Sequence, residues 1–193
     1  MSLQPTNRPI DRTSTAPFLL RCFYRQNREL LAAEFSVAPP ADTTGLTDYS
    51  SLLPAEIRQQ SAQIYTWPSC SLRELTGLLT SVIPPNMLPS QGTRLAYKLV
   101  FPDTRAQVRE GGRGQWIEKP LGSVTMGPDG FGGGDSLTGD VEKTLGDARF
   151  VIGDYVVCTI LPAGENGRSG GYGRPPPSYG HGGGYGRGRG YMR

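Results

Sequence analysis

One histidine and three cysteines are the residues from which this 193-residue chain could build nucleophilic, redox or thiolate-metal chemistry. His181 stands among glycines in Gly180-His181-Gly182-Gly183. A Ser-His-Asp or Cys-His site needs its imidazole held against the nucleophile, and a histidine in a glycine tract has no packed element to hold it. Cys22, Cys70 and Cys158 lack the C-x-x-C spacing of a zinc site. Their odd number, without paired spacing, reads as a reduced intracellular protein. Cys22 and Cys158 fall in apolar runs, where small buried hydrophobes are expected; a redox pair would need their Cα atoms within about 7 Å. Cys70 opens a helical segment, whose N-terminal dipole can lower a thiol pKa, although packing or simple exposure is the expectation there. No catalytic residue, metal site or cofactor is expected.

Two glycine runs invite a phosphate-loop reading: Gly111-Gly112-Arg113-Gly114 and Gly127 to Gly134 (GPDGFGGG). Neither ends in GK[ST] and neither runs from a strand into a helix, so both read as connections. Charge is spread unevenly. The chain carries +3, and residues 163–193 hold five arginines against Glu165, a local +4 that leaves −1 on residues 1–162. A near-neutral body argues against a broad nucleic-acid face on it. The tail repeats Gly, Tyr and Arg and cannot bury enough apolar area to fold. Its Arg168, Arg174, Arg187 and Arg189, with Tyr172 and Tyr185, could contact RNA weakly through phosphates and stacked bases. The opening MSLQPTNRPIDR has no apolar core of a secretory signal, and no apolar run reaches the roughly 20 residues of a membrane span. A soluble protein, either nuclear or cytoplasmic, is expected.

The elements that would position anything lie between residues 17 and 162. Residues 1–16 are polar and read as disordered. Phe18 to Tyr24 is an apolar, aromatic run that suits a strand. Residues 25–37 suit a short helical turn or another strand, and residues 38–60 open on turn-rich sequence that reads as a surface insertion. Gln63-Ile64-Tyr65-Thr66-Trp67 is a strand that runs almost directly into a helix. Ser71-Leu72-Arg73-Glu74 fits a capping box, Leu72, Leu75, Leu79 and Val82 form a helical stripe with Leu78 at its edge, and Pro84-Pro85 ends it. Arg94 to Phe101 reads as a strand, Gln115 to Val124 as an edge strand interrupted by Pro120, residues 127–148 as a glycine-rich loop, and Phe150 to Ile160 as a last, central strand bent at Gly153-Asp154.

Strand, strand, helix, then three strands is the order of an α+β, ubiquitin-like β-grasp domain, a mixed sheet with one main helix on one face. The first and last strands, the most apolar, would be parallel neighbours in its middle. Alternation sets Ile64 and Thr66 on one face of their strand and Tyr65 and Trp67 on the other. If the helix packs on the Ile64 side, these aromatics need cover from loops or from a partner. Tyr65, Trp67, Tyr97 and Trp116 are therefore the candidate partner-binding residues, since aromatic anchors dominate binding hot spots.

Several blocks together resemble the Sin-three-associated polypeptide family, eighteen-kilodalton class: Pro9-Ile10-Asp11-Arg12, PFLLRCF from Pro17, Glu34-Phe35, QIYTW followed by SLRELTGLL, Leu121-Gly122-Ser123-Val124, Asp135-Ser136-Leu137-Thr138 and FVIGDY from Phe150. The resemblance implies a non-enzymatic adaptor that scaffolds nuclear complexes. The partners it implies are histone-deacetylase corepressor subunits. In an apoptosis- and splicing-associated complex linked to exon junctions, they are an RNA-recognition-motif splicing regulator and a scaffold of the acinus or pinin type. No membrane partner is implied. The region 38–60 and the Gly/Arg/Tyr tail are longer than the family pattern. Two rival readings remain: an RNA-binding protein acting through its tail, and a conjugated modifier processed at Gly170-Gly171, a pair that composition alone accounts for.

Overall fold

The computed structural model describes residues 10–35, 53–103, 115–128 and 137–163. The expectations for residues 1–9, for most of 38–60, for both glycine runs apart from Gly127 and Pro128, and for the tail from 164 onward lie outside the described residues.

Six strands form one mixed sheet: β1 (Phe18–Gln26), β2 (Ser61–Thr66), β3 (Arg94–Pro102), β4 (Trp116–Met126), β5 (Leu137–Gly139) and β6 (Tyr155–Leu161). Their spatial order is β2-β1-β6-β3-β4-β5. β1 and β6 are parallel neighbours, Arg21 beside Tyr155 through Gln26 beside Ile160, as the sequence predicts; the other pairings are antiparallel. Tyr155 through Ile160 are all buried, the continuous apolar pattern of a strand covered on both faces.

Helix α2 (Leu72–Val82) covers one face. The Ser71 hydroxyl accepts the Glu74 amide at 3.2 Å, which is half of the predicted capping box. The other half is not made, because the Glu74 carboxylate is committed to Arg12. Leu72, Leu75 and Leu79 are buried, but Val82 is 52% exposed and Ile83 is buried in its stead. Helical geometry explains the correction: at about 100° per residue Ile83 comes round to within about 20° of Leu72, whereas Val82 lies about 80° away. Beneath the helix lie Leu20, Cys22, Ile64, Leu95, Tyr97, Leu121, Val156 and Cys158.

The opposite face carries a second core that the sequence did not disclose. Phe23, Val100, Tyr155 and Val157 of the sheet pack against Leu30, Phe35, Leu53 and Ile57. Phe35 closes a 3-10 turn (Ala32–Phe35) and Ile57 sits in a short helix, α1 (Ala55–Gln59), while Leu30 and Leu53 lie just ahead of these two elements. The end of the predicted surface insertion is thus a lid on the sheet. Its aromatic rings meet edge-on or stacked, Phe23 with Tyr155 at 5.1 Å and Trp116 with Tyr155 at 5.4 Å.

Two further boundaries differ. β5 lies within the predicted glycine-rich loop, where three residues leave almost no periodicity to read. Its Gly139 has φ +101°, and an added Cβ would stand 2.4 Å from the Ser123 carbonyl oxygen, so only glycine closes this pairing. The last strand begins at Tyr155 rather than Phe150. Residues 150–154 make a turn in which the Asp154 carboxylate accepts the Val151 amide at 3.0 Å and Gly153 takes φ +107°. Pro120 is accommodated opposite Lys98, at the register shift of β3 with β4, and β5 pairs only with Val124–Met126, so among the described residues no strand needs a donor from Pro120 on its outer side.

Two positions of the predicted helix stripe separate in stability. Leu75→Ala, which empties a fully buried site, should cost about 2–5 kcal/mol, while Val82→Ala should stay within about 0.5 kcal/mol. Urea unfolding of both variants measures the contrast.

Candidate interaction surface

The four candidate aromatics lie in four different environments. Tyr65 sits on β2, the outermost strand at one side of the sheet, with its side chain on the face away from α2 and 66% exposed. Its partner across the ladder is Leu19, 40% exposed. The pair is an apolar and aromatic patch beside a strand edge, a place where partners can dock.

Trp67 is half-buried beneath the segment before β1. Its indole N–H donates to the Thr15 carbonyl at 2.7 Å, and the Arg12 guanidinium lies 5.1 Å from the ring centroid. Arg12 also grips the Glu74 carboxylate with two bonds of 2.8 Å and donates to the Ser69 hydroxyl at 3.2 Å. The Asp11 carboxylate in turn accepts from the Thr13 amide and the Ser14 hydroxyl, both at 2.9 Å, which braces the turn. Residues 11–15 therefore form a strap over the start of α2, where the sequence suggested disorder.

Tyr97 is buried in the main core. The Thr76 hydroxyl donates to the Leu72 carbonyl at 2.6 Å, so the Tyr97 hydroxyl donates to Thr76 at 2.9 Å. Burial pushes the phenol well above its ordinary pKa. Trp116 is packed into the second core beside Phe35 and Tyr155. Tyr97 and Trp116 are thus packing residues, and alternation could not separate them from Tyr65, because both faces of the sheet are covered.

The cysteines are free and buried. Cys22 stands beside Val156 and Cys158 beside Tyr24, two positions apart along the parallel pair. Burial raises the Cys22 thiol well above its usual pKa and Cys158 to about 12. Cys70 is raised to about 11 by burial. All three are neutral thiols near pH 7, and the helix dipole does not prevail at Cys70. No group of three His, Cys, Asp or Glu residues is placed to hold a metal among the described residues, and no described helix is long and apolar enough to cross a membrane. His181 lies outside the described residues, as do Arg168, Tyr172, Arg174, Tyr185, Arg187 and Arg189.

The sequence also missed a buried cation. Lys98 points to the second-core face and bonds Glu29 at 2.8 Å and Glu118 at 2.9 Å. Beside it a groove of about 490 Å³ opens between Ala96, Pro120 and Thr159. Burial alone would raise the Glu118 pKa, but the Lys98 ammonium and the Ala32 amide outweigh it and hold the group below its usual value. Only the alternation of β3 hinted that Lys98 leaves the Leu95–Tyr97–Leu99 face.

A mixed sheet buried on both faces, with exposed apolar side chains at its rim, defines a small α+β domain that presents surface to its surroundings. The chain belongs to the Sin3 associated polypeptide p18 (SAP18) family, whose model matches residues 9–160. It is 31% identical over 172 residues to the human histone deacetylase complex subunit SAP18, covering 89% of this chain and 85% of the relative. The mouse subunit of the same name is 32% identical over 169 residues, covering 87% and 88%. The Arabidopsis thaliana subunit is 27% identical over 157 residues, covering 81% and 82%.

Removing the buried cation should be visible at its partner. In Lys98→Met the Glu118 pKa should rise toward or above the ordinary glutamate value, read by NMR titration. The sign follows from linkage. A depressed carboxylate stabilises the fold above its unfolded pKa and loses that contribution as pH falls through its lower folded pKa, so the variant should lose part of the acid-limb dependence of stability.

Proposed function

We propose that this chain is a non-enzymatic adaptor subunit of a nuclear histone-deacetylase corepressor complex. The carrying observation is the family match across residues 9–160, with human and mouse relatives named as subunits of that complex. The fold is in keeping with this role. We read it as a ubiquitin-like β-grasp unit spanning residues 17–162, because α2 lies across one face of a sheet whose first and last strands are parallel neighbours. The working surface is the Tyr65–Leu19 patch at the outer side of β2, with Trp67 and its strap at the adjoining corner; Tyr97 and Trp116 support it from within. Partners of the same surface would be corepressor subunits and, in mRNA splicing, an RNA-recognition-motif regulator with an acinus- or pinin-type scaffold.

Tyr65→Ala should leave the fold intact, since the side chain is exposed, and should weaken copurification of deacetylase-complex subunits by roughly thirtyfold if it is a hot spot of about 2 kcal/mol. Affinity purification with mass spectrometry, with and without RNase, reads this. Unchanged recovery would place the partner on another face.

A second reading, RNA binding, is favoured by the composition of residues 163–193, five arginines against one glutamate with interspersed tyrosines. Deleting them should abolish a salt-sensitive gel shift on single-stranded RNA; a truncated chain that shifts RNA as the full chain does would remove the tail from that role.

A further inference from the structure

The helix-side face of the sheet is covered unevenly. An eleven-residue α2 is about 16 Å long, whereas the nine residues of β3 extend about 30 Å. Helix α2 reaches Tyr97 through Thr76 and lies against Gly122 through Leu72. The last inward-facing row, Phe101 beside Ile117, is left beyond it, with Leu99 beside Lys119 in the row before. The turn at 148–154 approaches from the other side without closing over them. A cleft of about 600 Å³ remains, floored by Leu99, Phe101 and Ile117 and walled by Ala148 and Val151. Ile117 and Val151 are 37% and 43% exposed at its mouth.

The charged groups around this cleft are not equivalent. Asp154 is turned onto the Val151 amide. Lys119 is exposed and spends one of its three N–H groups on the Ala148 carbonyl at 3.1 Å, and among the described residues no carboxylate pairs with it. Arg149 is exposed, and its left-handed backbone, φ +60°, sets it at the crest of the turn beside the cleft. The fourth charged residue of the lining, Asp103, lies at the end of β3. The cationic groups therefore reach the rim while one of the two acids is held inward.

We propose that this open end of the sheet, Phe101–Ile117–Val151 with Lys119 and Arg149, is a docking cleft for a partner segment carrying a bulky apolar side chain next to a carboxylate. The apolar side chain covers the row that α2 leaves bare, and the carboxylate meets the two cations. The cleft lies on the opposite side of the sheet from the Tyr65–Leu19 patch, so an adaptor built this way holds two partners, or two segments of one, at once. The inference rests on the adaptor reading for the existence of a partner, but its chemistry can be tested on the purified chain alone.

A random peptide library displayed on phage, panned on the full-length protein, supplies the probe, and fluorescence anisotropy of the selected peptides supplies the affinities. Peptides with Leu, Ile, Phe or Met adjoining Asp or Glu should be enriched. Ile117→Asp should weaken them by at least about tenfold, the loss of about 1.4 kcal/mol. The double variant Lys119→Glu, Arg149→Glu alters only exposed side chains and should switch the enriched flanking residue from acidic to basic, an outcome that a misfolded protein could not give. Failure to enrich any peptide, enrichment without an acidic neighbour, or binding unaffected by both variants would overturn the cleft. None of those results would touch complex membership, which copurification tests separately.

Discussion

The parallel pairing of β1 with β6 is the constraint from which the rest of the structure follows. It places two strongly apolar strands side by side at the centre of the sheet, and each then exposes hydrophobic side chains on both faces. Cover is needed twice. On one side the leucine stripe of α2 supplies it. On the other, the route from β1 to β2 carries Leu30, Phe35, Leu53 and Ile57 back over Phe23, Val157 and Tyr155. A parallel pair also requires a long crossover between its strands, and here all the other elements of the sheet lie within that crossover.

Polar groups in this arrangement are placed where burial makes them count. Lys98 enters the sheet interior only in the company of Glu29 and Glu118, because an unpaired ammonium there would cost several kcal/mol. The Tyr97 hydroxyl is taken up by Thr76, whose own proton goes to the turn of α2. The thiols of Cys22 and Cys158 occupy space between helix and sheet as small apolar groups. These solutions leave the interior to packing and move the exposed chemistry to the rim: the Tyr65–Leu19 pair on β2 and β1, a cation-edged cleft where β3 ends, and an arginine strap between Trp67 and Glu74.

That strap shows why surface roles are hard to assign from residue types. Arg12 is one residue in a polar, proline-containing stretch, and nothing in that stretch has a period. Its partners Ser69 and Glu74 are 57 and 62 residues away. The glutamate read as half of a capping box is drawn off by this distant guanidinium, since a bidentate ion pair outcompetes a single bond to a local amide. In the same way Tyr65 and Trp116 look alike in a strand pattern, yet one meets solvent and the other the second core.

The sequence by itself determined the α+β class, the start and end of α2, the adjacency of the first and last strands, and the placement of Tyr65 on the strand face opposite Ile64. These depend on local signals: alternation, a serine before a leucine stripe, prolines after it, and continuous apolar runs. Tertiary structure alone decided which of the four aromatics is accessible, that Ile83 rather than Val82 completes the helix face, that the segment around Leu53 and Ile57 closes a second core, and that Arg12, Lys98 and the Phe101–Ile117 row have the neighbours they do. Each of those facts is a contact between residues far apart in the chain, and periodicity, which reports only which side of an element a residue faces, carries no information about what lies opposite.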